Sequence, residues 1–308
     1  MPGNYVIDWL LEGDVSIQYQ TYRDLLQRNK NDLQNRIENE GWGADFLSRQ
    51  NKNGQWGTDF YQPKWTSTHY TLLDIKNLAI SPRLMQIKKT IEFICKQYKA
   101  ADGGINPGKT ISQSDICING MFLNYACYFG IEQELLISII DFVLDQQMSD
   151  GGFNCRSNRM GAVHSSVHTT ISILEGIQEY QVNGYKYRLQ EFEKAKNECI
   201  EFILEHKLFR SSSTGNIIDK KFLMLSYPSR WKYDILRCLD FFQNAGIQYD
   251  PRMQDALDLI ISKRKKDGKW PLQAKHPGQT HFDMEKTGSE SRWNTLRALR
   301  VLKYYNLL

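Results

Sequence analysis

The sequence predicts an all-α protein in which amphipathic helices alternate with helices that are buried around most of their circumference. In segment 82–98, Leu84, Ile87, Ile91 and Ile94 recur at three- and four-residue spacing, which is the period of a helix. Other segments are apolar on nearly every face and contain small residues, and a helix of that kind is buried. These predicted buried helices cover residues 16–26, 65–78, 115–129, 164–177, 233–242 and 292–305.

A short turn motif repeats along the chain between these helices. Its copies are Asn53-Gly54-Gln55-Trp56, Asp102-Gly103-Gly104-Ile105, Asp150-Gly151-Gly152-Phe153 and Asp267-Gly268-Lys269-Trp270, with a degenerate copy at Thr214-Gly215-Asn216-Ile217. Glycine in second place supplies the positive φ of a helix C-terminal turn, and the large apolar residue in fourth place is expected to pack against the helices that the turn joins. Such an alternation builds an up-down bundle, a superhelical solenoid or a closed double ring.

Composition narrows the class of protein. The 308 residues are 41% hydrophobic, enough for one large core in a single domain spanning residues 1–308. The net charge of +4 does not indicate nucleic-acid binding, and no run of ~20 apolar residues predicts a membrane span. Residues 1–13 are acidic with no basic stretch, so a signal peptide is not predicted. The six cysteines then fit reduced thiols and a cytoplasmic location.

The turn motifs resemble the repeats of the squalene cyclases and of the protein prenyltransferase β subunits, and the whole resembles a group of bacterial squalene-cyclase-like proteins. Gln55-Trp56-Gly57, Asp102-Gly103-Gly104, Asp150-Gly151-Gly152-Phe153 and Asp267-Gly268-Lys269-Trp270 carry the resemblance. It implies an (α/α)6 toroid, a double ring of inner and outer helices around an apolar cavity. The Asp-x-Asp-Asp and Asp-Asp-x-x-Asp clusters of the cyclases are absent, so squalene cyclisation is not expected.

The prenyltransferase resemblance also implies a zinc site. In that family an Asp-x-Cys pair at the start of one inner helix and a His on a later one hold zinc, and Asp115, Cys117 and His168 match them. Cys155 and His164 are further candidates, since zinc prefers Cys, His and carboxylate ligands. The alternative is that the cysteines are small core residues and that Asp115 caps a helix. Ile118 stands where the family has an aromatic residue.

A second candidate site combines aromatic and basic residues. Three times a basic residue stands beside a Trp near the start of a predicted buried helix: at Trp65, at Arg230 and Trp231, and at Arg292 and Trp293. In a toroid these pairs are expected to meet at one mouth of the cavity, where Trp faces suit a hydrocarbon or carbocation and Arg suits an anion. His69 lies in the same phase as Trp65, and Lys109 partly matches the basic residues that hold a diphosphate in the prenyltransferases. The alternative is that these Trp residues only fill the core.

The sequence therefore predicts a zinc-dependent enzyme, transferase- or cyclase-like, that takes a hydrophobic or thiol substrate with an anionic head, an isoprenoid among them. The zinc would activate a substrate thiol, polarise a carbonyl or lower the pKa of a water, and the sequence does not choose among these. No further catalytic residue is assigned. The rival hypothesis is a non-catalytic toroidal binding protein with a structural metal or none. A helical partner like the prenyltransferase α subunit remains open.

Overall fold

The computed structural model describes residues 4–108 and 111–308, and within these ranges the secondary structure is almost entirely helical. The helices are α1 Asn4–Leu11, α2 Val15–Gln20, α3 Asn31–Arg36, α4 Gly41–Leu47, α5 Thr68–Asn77, α6 Met85–Gln97, α7 Ile116–Tyr128, α8 Gln133–Asp145, α9 Ser157–Met160, α10 Val167–Val182, α11 Leu189–Glu205, α12 Ile235–Asn244, α13 Gln254–Ser262 and α14 Arg292–Tyr304. A π-helical turn, Thr21–Leu25, continues α2, and 3-10 turns lie at Lys64–Thr66, Lys220–Leu223 and Pro251–Met253. Two short strands, β1 Trp270–Pro271 and β2 Glu290–Ser291, pair antiparallel. The all-α prediction is confirmed.

The chain divides into two compact units. Unit 1 combines residues 4–49, 77–81 and 204–308, and unit 2 combines residues 50–76 and 82–203. In unit 2 the buried helices α7 and α10 pack against each other, while in unit 1 α12 packs against α14. Among the helices in the described ranges, none has both the length and the apolar character needed to cross a membrane.

The four clear turn motifs share one backbone geometry, as the sequence predicted. In each, the glycine in second place has a φ between 82° and 88° and donates its N–H to a carbonyl three residues earlier. The apolar residue in fourth place is completely buried in all four copies: Trp56, Ile105, Phe153 and Trp270. The degenerate copy keeps the positive φ at Gly215, but Ile217 is 40% exposed, so its apolar residue does not enter the core.

Each of these turns is tied to the buried helix that follows it. The backbone N–H of the apolar residue donates to a side chain in the first turn of that helix, at 2.7–3.1 Å, and the acceptors are Thr68, Asn119, Thr170 and Thr295. A buried backbone N–H without a partner is costly. The polar residue at this position therefore gives the buried N–H of the turn its hydrogen-bond partner and fixes where the helix begins.

Two glycines let α7 and α10 approach closely. A Cβ on Gly176 would lie 2.5 Å from the carbonyl oxygen of Gly120, and a Cβ on Gly120 would lie 2.7 Å from the carbonyl oxygen of Ser172. No larger residue fits at either position without moving backbone. This contact joins the two helices whose first turns carry the candidate site.

Candidate functional site

The candidate site of unit 2 is built by two copies of the turn motif. The carboxylate of Asp102 accepts hydrogen bonds from the backbone N–H and the hydroxyl of Ser114, both at 2.7 Å, and this fixes the segment that enters α7. Asp150 holds Ser165 in the same way, with 2.8 Å between the Ser165 nitrogen and a carboxylate oxygen. These hydrogen bonds fix the segments that lead into the two helices, where Cys117 lies in the first turn of α7 and Thr169 in the first turn of α10.

Cys155 lies between these two helix starts, and hydrogen bonds converge on its sulfur. The backbone N–H of Cys117 donates to Cys155 Sγ at 3.1 Å, and Thr169 Oγ1 donates to it at 3.3 Å. The thiol of Cys117 also hydrogen-bonds to it. The loop that contains Cys155 is held against α10 because the Cys155 N–H donates to Thr169 Oγ1 at 3.2 Å.

These bonds separate the pKa values of the two thiols. The hydrogen bond from the Cys117 thiol, with support from Thr169, lowers the pKa of Cys155 below its ordinary value although burial opposes this. The same bond, together with burial, raises the pKa of Cys117 well above the ordinary value. Hydrogen bonds to a charged form favour that form. Of the two thiols, Cys155 therefore loses its proton more readily, and Cys117 donates a hydrogen bond to it.

Asp115 and Tyr61 adjoin the thiol pair. Asp115 occupies the N-cap position of α7 without a capping side-chain hydrogen bond, and its negative charge raises the pKa of both thiols. Burial raises the pKa of Tyr61, and the charges of Cys117, Asp115 and Cys155 add to the effect. Tyr61 therefore keeps its proton beside the sulfur atoms, and its hydroxyl lies 3.0 Å from that of Tyr70.

The predicted substrate-binding residues Trp65 and His69 lie in a buried aromatic cluster of unit 2. Trp65 packs edge-on against Tyr70, with ring centroids 4.8 Å apart. His69 is completely buried, its Nδ1 lies 3.1 Å from the hydroxyl of Tyr125, and its Nε2 has no hydrogen-bond partner. Burial lowers the pKa of His69 to about 3, so the ring is neutral at pH 7 and offers an anion no ionic attraction.

The described residues assemble only part of the predicted metal-ligand set. Cys117, Cys155 and Asp115 lie together, whereas His164 is exposed on the loop before α10. His168, in the first turn of α10, accepts a hydrogen bond on its carbonyl from Ser172. Across residues 4–108 and 111–308, no three His, Cys, Asp or Glu side chains surround a point that could hold a metal ion.

The remaining predicted anion-binding residues belong to unit 1, except Lys109, which lies outside the described residues. Arg292 donates from Nε to the carbonyl of Trp9 at 2.9 Å and stacks over the Trp9 ring at 4.5 Å. Trp293 stacks on Tyr227 with ring centroids 4.7 Å apart, which makes it a core residue of the unit.

Arg230 and Trp231 lie on the segment that precedes α12. Arg230 is only 6% exposed and has a left-handed backbone with φ 57°. Lys232 Nζ lies 3.8 Å from the centroid of the Trp231 ring. Because Trp65 belongs to unit 2 and Trp231 and Trp293 to unit 1, the expected meeting of the three pairs at one mouth stays a prediction.

Two residues of the site were not singled out from the sequence. Thr169 is the neighbour of the predicted ligand His168, and a Thr inside an apolar helix gives no signal of its own. Tyr61 is 54 positions before Asp115 in the chain, and only the folded unit shows that the two are near each other.

Comparison with known proteins supports the fold and leaves the family open. No protein-family model matches the chain, and no curated protein is significantly similar to it in sequence. A polysaccharide lyase of known structure has a TM-score of 0.53 and 12% identity, over 99% of this chain and 98% of that one. This likeness shows a shared helical fold.

Two other solved structures are less similar. A protein from Actinoplanes has a TM-score of 0.48 and 12% identity, over 96% of this chain and 90% of that one. A type II terpene cyclase from Scytonema has a TM-score of 0.34 and 12% identity, over 93% of this chain and 99% of that one.

Proposed function

We propose that the chain is an α/α-toroid enzyme of one domain whose reactive centre is the Cys155 thiolate, with Cys117 and Tyr61 beside it. The single observation that carries this proposal is the convergence of three hydrogen-bond donors on the Cys155 sulfur. The toroid is supported by the alternation of buried and amphipathic helices and by the likeness over the whole chain to a polysaccharide lyase.

The thiolate is the form of cysteine that attacks electrophiles and binds metals. A structural cysteine in an apolar core has a raised pKa instead, as burial gives Cys127 and Cys199 in the same unit. The pKa of Cys155 is lowered instead, because backbone, hydroxyl and thiol groups all donate hydrogen bonds to its sulfur. In the reaction, Cys155 would hold the negative charge, Thr169 would orient it, and the Cys117 thiol would supply or take back a proton.

We retain zinc as the proposed cofactor, with Cys117 and Cys155 as its first two ligands and Asp115 or His168 as the third. The donor set suits zinc in its chemistry, because thiolates are soft ligands and a carboxylate or imidazole completes a catalytic set of three. Among the described residues, no three such side chains surround one point that could hold the ion. When bound, zinc would supply Lewis acidity, and Cys117 would then hold the metal as a thiolate instead of acting as the proton donor of the metal-free pair.

The proposed substrate is hydrophobic with an anionic head, and isoprenoid diphosphates are the first class to screen. Lys109, Arg230 and Arg292 are each proposed as anion-binding residues. The aromatic cluster around His69 supports an apolar substrate, since neutral rings favour hydrocarbon over water.

The test is zinc content and coordination in protein purified without a metal-affinity tag. We expect about one zinc per chain after equilibration, lost in Cys117→Ser and Cys155→Ser and kept in Cys95→Ser, a buried control in the same unit. X-ray absorption at the zinc edge should then show three protein ligands and one water. Four protein ligands would favour a structural metal and the non-catalytic binding protein, and no zinc in any sample would refute the cofactor.

A further inference from the structure

A cleft in unit 1 has the composition of a binding site and lies apart in the sequence from the thiol centre. Phe46, Tyr227, Arg230, His276, His281 and Phe282 are among the residues that line it, and it is partly open to solvent. Its outer wall is the loop between β1 and β2. Three aromatic side chains provide apolar walls and the other residues provide polar groups, as ligand sites commonly do.

Neighbouring cations act on both histidines of this cleft. Arg230 is almost completely buried, and its charge acts on both histidines. Burial, followed by the charges of neighbouring Lys and Arg side chains including Arg230, lowers the pKa of His276 to about 4. Burial, with Arg49 and Arg230, lowers the pKa of His281 to about 4. Both rings are therefore neutral at pH 7 in a field that favours anions.

The two carboxylates that also line the cleft are engaged by other groups. Asp283 forms an ion pair with Lys275 at 2.5 Å. Glu285 accepts the N–H groups of Arg292 and Trp293 at 2.7 and 3.2 Å, which places its charge at the N-terminus of α14, where the helix dipole favours it.

His276 presents an unused ring nitrogen. One nitrogen is engaged by a hydrogen bond with the backbone of Ser229, while Nε2 is buried with no hydrogen-bond partner. A buried polar atom without a partner costs about 1–3 kcal/mol. Because the neutral ring donates one N–H, here to Ser229, Nε2 is left as an acceptor that a ligand hydroxyl can fill.

We propose that this cleft binds a phosphate monoester with an apolar body. A phosphomonoester has a second pKa of about 6, so it can bring one P–O–H to His276 Nε2 while its charged oxygens face Arg230. A carboxylate or a sulfate ester is fully ionised at pH 7 and brings no proton. The apolar body packs against Phe46, Tyr227 and Phe282. The cleft shares Arg230 with the anion-binding residues of the proposed function, and it needs neither the thiol pair nor zinc.

Calorimetry on the full chain at pH 7 tests the proposal, with inorganic phosphate, phenyl phosphate, sulfate and benzoate as probes. We expect phosphate to bind about tenfold or more tightly than sulfate, because the shared proton is one hydrogen bond between charged partners. Phenyl phosphate should bind more tightly than inorganic phosphate if the apolar walls take part.

Variants separate the proposed contacts from general basicity. His276→Asn keeps a side-chain donor for Ser229 and lacks Nε2, so phosphate and sulfate should bind it equally. Arg230→Gln should weaken all anions, and Lys265→Gln, an exposed cation outside the cleft, should weaken none. Equal binding of phosphate and sulfate to the unaltered protein, or a preference kept by His276→Asn, would overturn the proposal.

Discussion

Replacing Asn119 by Ala should destabilise unit 2 far more than an ordinary surface substitution does. Asn119 is completely buried. Its Oδ1 accepts the N–H of Ile105 at 2.7 Å, and its Nδ2 donates to the carbonyls of Ile105 and Asp115 at 3.1 and 2.9 Å. The substitution leaves the buried N–H and carbonyl of Ile105 unsatisfied at about 1–3 kcal/mol each. We therefore expect a loss of roughly 2–6 kcal/mol in the free energy of unfolding.

Urea unfolding followed by circular dichroism measures this loss, with midpoints compared at equal slope. Asn183→Ala is the matched control, because Asn183 caps the exposed C-terminus of α10 and its side chain hydrogen-bonds to Glu179. Surface changes of that kind stay within about 0.5 kcal/mol. If Asn119→Ala were as stable as Asn183→Ala, the idea that these side chains tie the turns to the buried helices would be wrong.

Three further outcomes are expected. Gly176→Ala should lower the free energy of unfolding by about 1–3 kcal/mol, because its Cβ would lie 2.5 Å from a carbonyl oxygen of α7. The control Val182→Ala, on the exposed end of the same helix, should change it little. Equal midpoints of urea unfolding for the two variants would refute the close contact. Thr169→Val should raise the pKa of Cys155 by removing one donor to its sulfur, seen as a higher midpoint in the pH profile of its alkylation, and an unchanged midpoint would contradict the assignment. His69→Gln should flatten the pH dependence of the free energy of unfolding. The folded pKa of His69, about 3, is below the unfolded value of about 6.5, so the stability that the neutral ring contributes to the unaltered protein is lost as the pH falls from about 6.5 towards 3. Free energies of unfolding measured between pH 7 and 4 would refute this if both proteins showed the same slope against pH.

The helical class and the geometry of the turns were predictable because their signals are local, while the (α/α)6 arrangement of the helices stays a prediction. A glycine at the second place of each turn and a large apolar residue at the fourth are read directly from the sequence, and the four clear turns have the expected geometry. Helix starts were less predictable. The segment expected from residue 164 begins at Val167, because Asp150 holds Ser165 in the preceding loop. The side chains that tie the turns to the helices were not identified, since a single Asn or Thr in an apolar helix does not reveal its partner.

The site was predictable only in part, because it depends on contacts between distant segments. Cys117 and Cys155 were both candidate ligands, and the structure brings them together across 38 positions. His168 was the predicted partner, yet Thr169, the next residue on α10, reaches the sulfur. Neighbouring residues on a helix point about 100° apart, and the sequence alone does not show which of them faces the loop. The loop with His276 has no periodicity from which its position could be inferred.

The most direct test of the central claim is the alkylation of Cys117 and Cys155 in the same sample across a range of pH, with each site quantified by peptide mass spectrometry. We expect Cys155 to react first and at a lower pH than Cys117, because the groups that donate to its sulfur lower its pKa while the pKa of Cys117 is raised. If Cys117 reacted at the lower pH, or if both followed one profile, the thiolate would not be on Cys155 and the proposed reactive centre would be wrong.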